Sequence, residues 1–264
     1  MHAVKIFFIL IPKLSHLFGY SNRETLFLLF QFWYFAVSRK TFFRGKEMQF
    51  TLCYKGKKFQ LWIESIVDLA VLDEVFLKEE YSWELQSPPK FIIDLGAHFG
   101  DTALYYHFTY PEATIFAIEP APETYARLCK NVRAIPSIVP VQVAVSDTNG
   151  FADLHVSASS IGASFSTRTD SAQVVSVPMC TLRSLLVQQG IERVDLIKFD
   201  IEGAEELLFV HDSPETFSDA YIGEVHGDLM KQSCEEFVSS FIKYTVQTEP
   251  MKNTQRFIVT CVKK

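Results

Sequence analysis

The spacing of apolar and polar residues changes period repeatedly along the chain. Gln49 to Tyr54 and Lys58 to Ile63 alternate around Lys55-Gly56-Lys57 as the two arms of a hairpin, and Ser65-x-x-Asp68 then opens an apolar helix running to about Tyr81. After the break Ser87-Pro88-Pro89, Phe91-Ile92-Ile93-Asp94-Leu95 has the character of a buried strand stopped by Gly96, with a helix predicted from about Gly100 to Phe108. Thr114 to Glu119 and Glu123 to Arg133 repeat that pair, and a third strand spans Val139 to Val145, ending at Ser146-Asp147. Phe151 to Ser157 and Gln173 to Cys180 read as an inserted hairpin around a hydroxyl-rich loop, Ser157 to Ser171, either a solvated surface loop or a cover for a neighbouring site. A helix over Thr181 to Gln188, a strand over Val194 to Phe199, a helix opening at Glu202 and a strand over Tyr221 to Val225 continue the series. Tyr244 to Thr248 and Arg256 to Val262 end it as an antiparallel hairpin. Such alternation predicts an α/β fold, a mostly parallel sheet with helices on both faces.

Composition divides the 264 residues into chemically different pieces. Through Lys46 the chain carries seven lysines and arginines against Glu24 alone, so the remainder is far more acidic than the net charge of -6. That balance lacks the basic surface used in nucleic-acid binding, and no nucleic-acid partner is expected. The apolar runs Ile6 to Ile11 and Leu26 to Val37 are shorter than the about 20 residues of a membrane-spanning helix, and no small-residue cleavage pattern marks a signal peptide. Residues 1–45 are therefore expected to form a cationic, aromatic helical segment that either covers its own domain or rests peripherally on an anionic membrane surface. Residues 46–86 form a hairpin-and-helix lead-in, and 87–264 the main domain. The five cysteines at 53, 129, 180, 234 and 261 have neither metal-site nor disulfide spacing and fit a reducing, cytoplasmic setting.

Candidate chemistry begins at Asp94-Leu-Gly96-Ala-His-Phe-Gly100. A glycine turn between the carboxyl end of a strand and the start of a helix lets a ligand approach the backbone, and open parallel sheets bind ligands at that edge. A dinucleotide fingerprint would need a glycine where His98 stands. With a carboxylate at the strand end, Asp-x-Gly-x-x-x-Gly suits instead an adenosine ligand that carries a cationic amino acid group. Glu119, 25 residues after Asp94 at the end of the next strand, can accept both ribose hydroxyls.

The succession Ile93 to Gly100, Ile118-Glu-Pro120, Val143-Ala-Val-Ser-Asp147 and Asp195-Leu-Ile-Lys-Phe-Asp-Ile-Glu-Gly-Ala-Glu205 resembles the FkbM-type family of S-adenosylmethionine-dependent methyltransferases, over about residues 68 to 226. The resemblance implies a seven-stranded Rossmann-like fold and methyl transfer to a hydroxyl of a small metabolite, sugar or lipid-like acceptor. It assigns Asp94, Gly96, Ala97, His98, Gly100 and Thr102 to the methionine part of S-adenosyl-L-methionine and Glu119 with Pro120 to the ribose. Val145, Ser146 and Asp147 fall to the adenine side and Asp200 beside the sulfonium. His98 stands where an asparagine is expected.

An alcohol acceptor must also lose a proton. Asp200 follows a strand, while Glu224 and His226, two apart on another, share a face. His226 is the candidate base because its ordinary pKa lies near 6.5, with Glu224 orienting it. Glu202, Glu205 and Glu206 are assigned to the dipole of the helix expected there, and Lys198 to balancing the nearby carboxylates. Asp200, Glu202, Glu224 and His226 include donors suited to Mg²⁺ or Mn²⁺, but no ligand spacing compels a metal and none is assigned. Two other classes share such a sheet: a nicotinamide-dependent oxidoreductase, disfavoured by the missing middle glycine, and a non-catalytic interaction platform.

Overall fold

The computed structural model describes residues 6–41, 47–157, 163–164, 171–251 and 255–264, so most of the Ser157 to Ser171 loop lies outside the described residues. Contacts divide the chain into two compact units, Met1–Glu80 and Tyr81–Lys264.

In the first unit, helices α1 (Ile11–Phe18) and α2 (Asn22–Thr41) precede the hairpin of β1 (Met48–Tyr54) and β2 (Lys57–Ile63). Lys55 and Gly56 make the turn with positive φ, the geometry favoured in two-residue hairpins. Helix α3 (Ile66–Leu72) opens with the predicted capping box: the Ser65 hydroxyl accepts from the Asp68 amide while the Asp68 carboxylate accepts from the amides of Glu64 and Ser65. The helix is shorter than its sequence pattern indicates. It passes into a π-helical turn at Asp73–Leu77 and ends before Glu79, whose φ is positive. Phe18, Phe32, Phe35, Phe50, Tyr54 and Phe76 form the ring-on-ring core of this unit. α2 buries Leu28, Phe32, Phe35 and Ala36 but leaves Leu26, Phe27, Phe30, Trp33 and Tyr34 at least half exposed. Among the described residues, no helix is long and apolar enough to cross a membrane.

The second unit is built on a seven-stranded sheet. Its strands are β3 (Phe91–Leu95), β4 (Thr114–Ile118), β5 (Ile138–Val141), β10 (Leu196–Phe199), β11 (Ala220–His226), β12 (Tyr244–Pro250) and β13 (Arg256–Lys263), in the order β12-β13-β11-β10-β3-β4-β5. Five are parallel; β13 runs antiparallel to both β11 and β12. This is the expected Rossmann-like α/β sheet with its antiparallel C-terminal hairpin. The helices α4 (Asp101–Thr109), α5 (Pro122–Val132), α6 (Leu182–Gln188) and α7 (Cys234–Ser239) alternate with the strands. The chain lays β4 and β5 to one side of β3 and β10 and β11 to the other, so the direction of winding reverses between β3 and β10. Ligands bind at such a switch point, at the carboxyl ends of the strands.

Alternation along the strands places two different surfaces on the sheet. Ile93, Leu95, Phe116, Ile118, Ile197 and Phe199 join Leu182, Leu185, Phe237 and Phe241 in one apolar core. The residues between them on β3 and β10 include Asp94 and Lys198, which are paired across the strands in register.

Two predicted elements differ. The apolar run Val139 to Val145 is split: β5 stays in the main sheet, while β6 (Ala144–Ser146) joins a separate four-stranded sheet with β7 (Gly150–Ser157), β8 (Ala163–Ser164) and β9 (Ser171–Thr181). Val143 and Val145 are buried on either side of that change, so hydrophobicity alone does not mark it. The helix expected at Glu202 does not form. Glu202 and Gly203 both take positive φ, 53° and 95°, and only the three-residue 3₁₀ turn Glu205–Leu207 follows.

Candidate active site

The glycine turn follows directly from the strand register. Gly96 has φ +76°, and a Cβ built there would lie 1.9 Å from the backbone oxygen of Asp200, so the ends of β3 and β10 can meet only over a glycine. This makes Gly96 a requirement of the fold as well as of any ligand. His98 also takes a left-handed conformation, φ +48°, a region that His, like Asn, enters more readily than most residues. Gly100, φ +95°, precedes α4, and a Cβ there would press on Leu128 and Val132 of α5.

Glu119 lies beneath this turn and is almost fully buried. Its Oε2 accepts the amide hydrogen of His98 (3.0 Å) and its Oε1 that of Ala121 (2.9 Å). Burial pushes its carboxyl up to about 7 despite those two bonds. Asp94 is also fully buried, 3.1 Å from the Lys198 ammonium, which donates to the carbonyl oxygens of Gly96 (2.9 Å) and Leu95 (3.3 Å). Burial works against the charge of Lys198, but Asp94, Asp200 and Asp101 outweigh it and hold the ammonium protonated. Asp101, at the start of α4, is pushed up to about 7, chiefly by burial. Asp94 Oδ2 and Asp101 Oδ1 are buried without a hydrogen bond among the described residues. Orphaned carboxylate oxygens beside the glycine turn fit a ligand with an ammonium group, and Glu119 keeps lone pairs for a diol. Thr102 is buried beside Asp101, and Pro120 continues the chain from Glu119 toward α5.

Val145 and Ser146 are buried in β6, and the Ser146 hydroxyl donates to Asp147 (3.2 Å). Ser146 and Asp147 line a cavity of about 280 Å³ together with Leu182, Leu207, His211 and Phe217. Asp94, Gly96 and Glu119 are not part of its lining.

The carboxyl ends of β10 and β11 bring Asp200, Glu224 and His226 together. His226 is 1% exposed, with Nε2 at 3.4 Å from Glu224, 3.6 Å from Asp200 and 3.8 Å from Glu202. Its Nδ1 lies 2.8 Å from Glu205 Oε1. Burial opposes charge on the ring, but the Glu205 bond and the carboxylates of Asp200 and Glu224 push it up to about 9. The ordinary-pKa reason for choosing His226 as base therefore does not survive this environment. Burial also tends to raise Asp200, yet Lys198, His226 and a hydrogen bond from the Tyr81 hydroxyl (3.0 Å) hold it below the usual carboxylate value. Glu224 is pushed up to about 7 by burial and by Asp200.

The sequence reading missed Tyr81 as a partner of Asp200 and gave Glu205 a different role. Glu205 has no helix dipole to serve; it turns back to accept the amides of Ile201 and Gly203 and to hold His226. Glu206 accepts the amides of Lys231 and Gln232. Lys198 balances carboxylates as expected, from a fully buried position.

Residues 94–239 match the methyltransferase FkbM domain, more than half of the chain. The chain belongs to the FkbM methyltransferase family. Its residues 94–239 form a methyltransferase domain of that family. Two curated relatives are similar: the 2-O-methyltransferase NoeI of Sinorhizobium fredii, 30% identical over 46% of this chain and 56% of the relative, and the methyltransferase sdnD of Sordaria araneosa, 29% identical over 51% and 65%. The chain thus spans less than two thirds of each relative. Among solved structures, Aeropyrum pernix fibrillarin with bound S-adenosyl-L-methionine is similar at 14% identity and a TM-score of 0.45 over 83% of this chain and 84% of that one. M. jannaschii TYW2 in complex with AdoMet is similar at 15% identity and 0.42 over 83% and 87%.

Proposed function

We propose that this FkbM methyltransferase domain moves the methyl group of S-adenosylmethionine to a hydroxyl oxygen of a small-molecule acceptor. The observation that carries the reading is the left-handed turn at Gly96, closed against Asp200 at the sheet's switch point, with Glu119 beneath it. The cofactor, when bound, supplies an electrophilic methyl on a sulfonium. Asp94 and Asp101 take its ammonium end, Glu119 and Pro120 its ribose, and Val145, Ser146 and Asp147 its adenine side. Gly96, Ala97, His98, Gly100 and Thr102 shape the backbone between them. Asp200, Glu224 and His226 converge on the same edge to receive the acceptor hydroxyl, and the carboxylates of Glu224 and Asp200, beside the charged ring, take its proton. Positioning the oxygen supplies most of the acceleration, and the proton acceptor a further factor of about 10² to 10⁴. Labelled methyl is expected to pass from S-adenosylmethionine to a hydroxyl-bearing acceptor, with Asp200→Asn lowering kcat about 100-fold or more; equal rates for both proteins would remove Asp200 from the chemistry.

The first unit supports a second role. The exposed side of α2 presents Leu26, Phe27, Phe30, Trp33 and Tyr34 next to Arg39 and Lys40 in sequence, the combination that seats a helix at an anionic membrane surface. Vesicles rich in anionic lipid should sediment the chain at low salt, and Phe27→Glu with Phe30→Glu should abolish it. Sedimentation indifferent to lipid charge and to the double substitution would contradict this. All five cysteines are unpaired, which supports a cytoplasmic location.

A further inference from the structure

The environment of His226 contains an arrangement that hydrogen bonding alone leaves unexplained. Glu205 Oε1 already accepts amide hydrogens from Ile201 (3.2 Å) and Gly203 (3.3 Å), so it faces His226 Nδ1 as an acceptor and Nδ1 carries a proton. That bond fixes the ring and aims Nε2 at the opposite side. Nε2 is buried and, among the described residues, makes no hydrogen bond. Glu224 Oε1 and Asp200 Oδ1 face it at 3.4 and 3.6 Å without forming a hydrogen bond to it. One donor atom each from Asp200, Glu224 and His226 lies within 4.8 Å of the other two. Two donors about 2.1 Å from a common ion and at right angles stand about 3 Å apart, and opposed donors about 4 Å, so these spacings are those of a slightly open cation site.

We propose that Asp200, Glu224 and His226 bind a divalent cation, with Mn²⁺ matched to the two carboxylates that make up most of the donor set. The surrounding groups have the form that orients metal ligands: a carboxylate behind the histidine and a hydroxyl behind Asp200, where Tyr81 donates to Oδ2 (3.0 Å) and leaves Oδ1 toward Nε2. Glu202 Oε2, 3.8 Å from Nε2, adds charge at the rim, and Arg256, 3.4 Å from Glu224 Oε1, is the cation it must compete with. Binding the ion displaces any proton from Nε2. The role of the ion in acidifying an acceptor hydroxyl rests on the methyltransferase reading, but its binding does not.

Titrating Mn²⁺ into the full chain and following the electron paramagnetic resonance signal of the free ion tests this directly. One equivalent per chain should disappear from the signal, and Glu224→Gln should weaken binding at least tenfold. Should that variant fail to fold by circular dichroism, Glu224→Asp, which keeps the charge but shortens the reach, should show a loss in the same direction. Undiminished free-ion signal with the wild type, or equal binding by the folded variant, would overturn the site. Calorimetry with S-adenosylhomocysteine on the same sample separates the two claims: ligand heat without Mn²⁺ binding removes only the cation, and Mn²⁺ binding without ligand heat removes only the cofactor reading.

Discussion

Lys198→Met is expected to destabilise the folded chain by about 3 to 5 kcal/mol, a large part of the total stability of an ordinary domain. The lysine occupies the middle of a central strand and is 1% exposed, with Asp94 directly across in register and equally inaccessible to water. Removing one member leaves the other charge buried without compensation and deprives the carbonyls of Leu95 and Gly96 of their donor. Burial raises the Asp94 carboxyl, and Lys198 opposes that rise. Without the lysine, Asp94 would be driven toward its neutral form. Replacing both residues, as Asp94→Leu with Lys198→Met, should recover much of the loss because well-packed apolar pairs substitute for buried ion pairs at little cost. Denaturant unfolding of the two variants decides the matter. A single variant within about 1 kcal/mol of the wild type would mean that the pair is not the electrostatic centre of the sheet.

Glu119→Gln is expected to weaken S-adenosylhomocysteine binding tenfold or more at pH 8 and to remove its pH dependence. Hydrogen bonds to a charged acceptor contribute about 1.5 to 3 kcal/mol, and glutamine offers one acceptor oxygen in place of two. The wild-type carboxyl is held at about 7, above the ordinary 4.5, so ionising it costs the ligand-free fold. That cost is absent below the ordinary value and grows as pH rises through 7; stability from this group therefore declines over that window. Ribose hydroxyls require the ionised acceptor, so affinity should rise over the same window. Opposite pH trends for stability and affinity in the wild type, both flattened in the variant, are the distinguishing result. Affinity that is flat between pH 6 and 8 in the wild type would separate Glu119 from the ribose.

The parts of the fold that were legible in the sequence are those where one residue pattern dictates one geometry. Gly96 and Gly100 mark turns with positive φ, and Ser65 with Asp68 forms a reciprocal cap. The strands of the parallel sheet announce themselves as short apolar runs. The split at Gln142-Val143 was hidden because both new environments are apolar, so the pattern continues while the pairing partner changes. The missing helix after Asp200 has a different cause. Asp200 to Gly203 must turn tightly beside Gly96, and Glu202 is forced into a left-handed conformation that no local preference demands. Glu205 consequently became a partner of His226 rather than a helix-end charge. The ordinary-pKa reason for choosing His226 as a base lapses for the same reason: four carboxylates converge on it only in three dimensions. Lys198 did leave a trace, as a lone cation inside Leu196-Ile197-Lys198-Phe199 opposite the lone acid of Ile93-Asp94-Leu95.

The most direct test of the methyltransferase reading is calorimetric titration of the wild-type chain with S-adenosylhomocysteine at pH 8. One molecule should bind per chain and protect the turn from Gly96 to Gly100 against hydrogen exchange. No binding heat from a folded chain, or binding that leaves this turn unprotected, would contradict it.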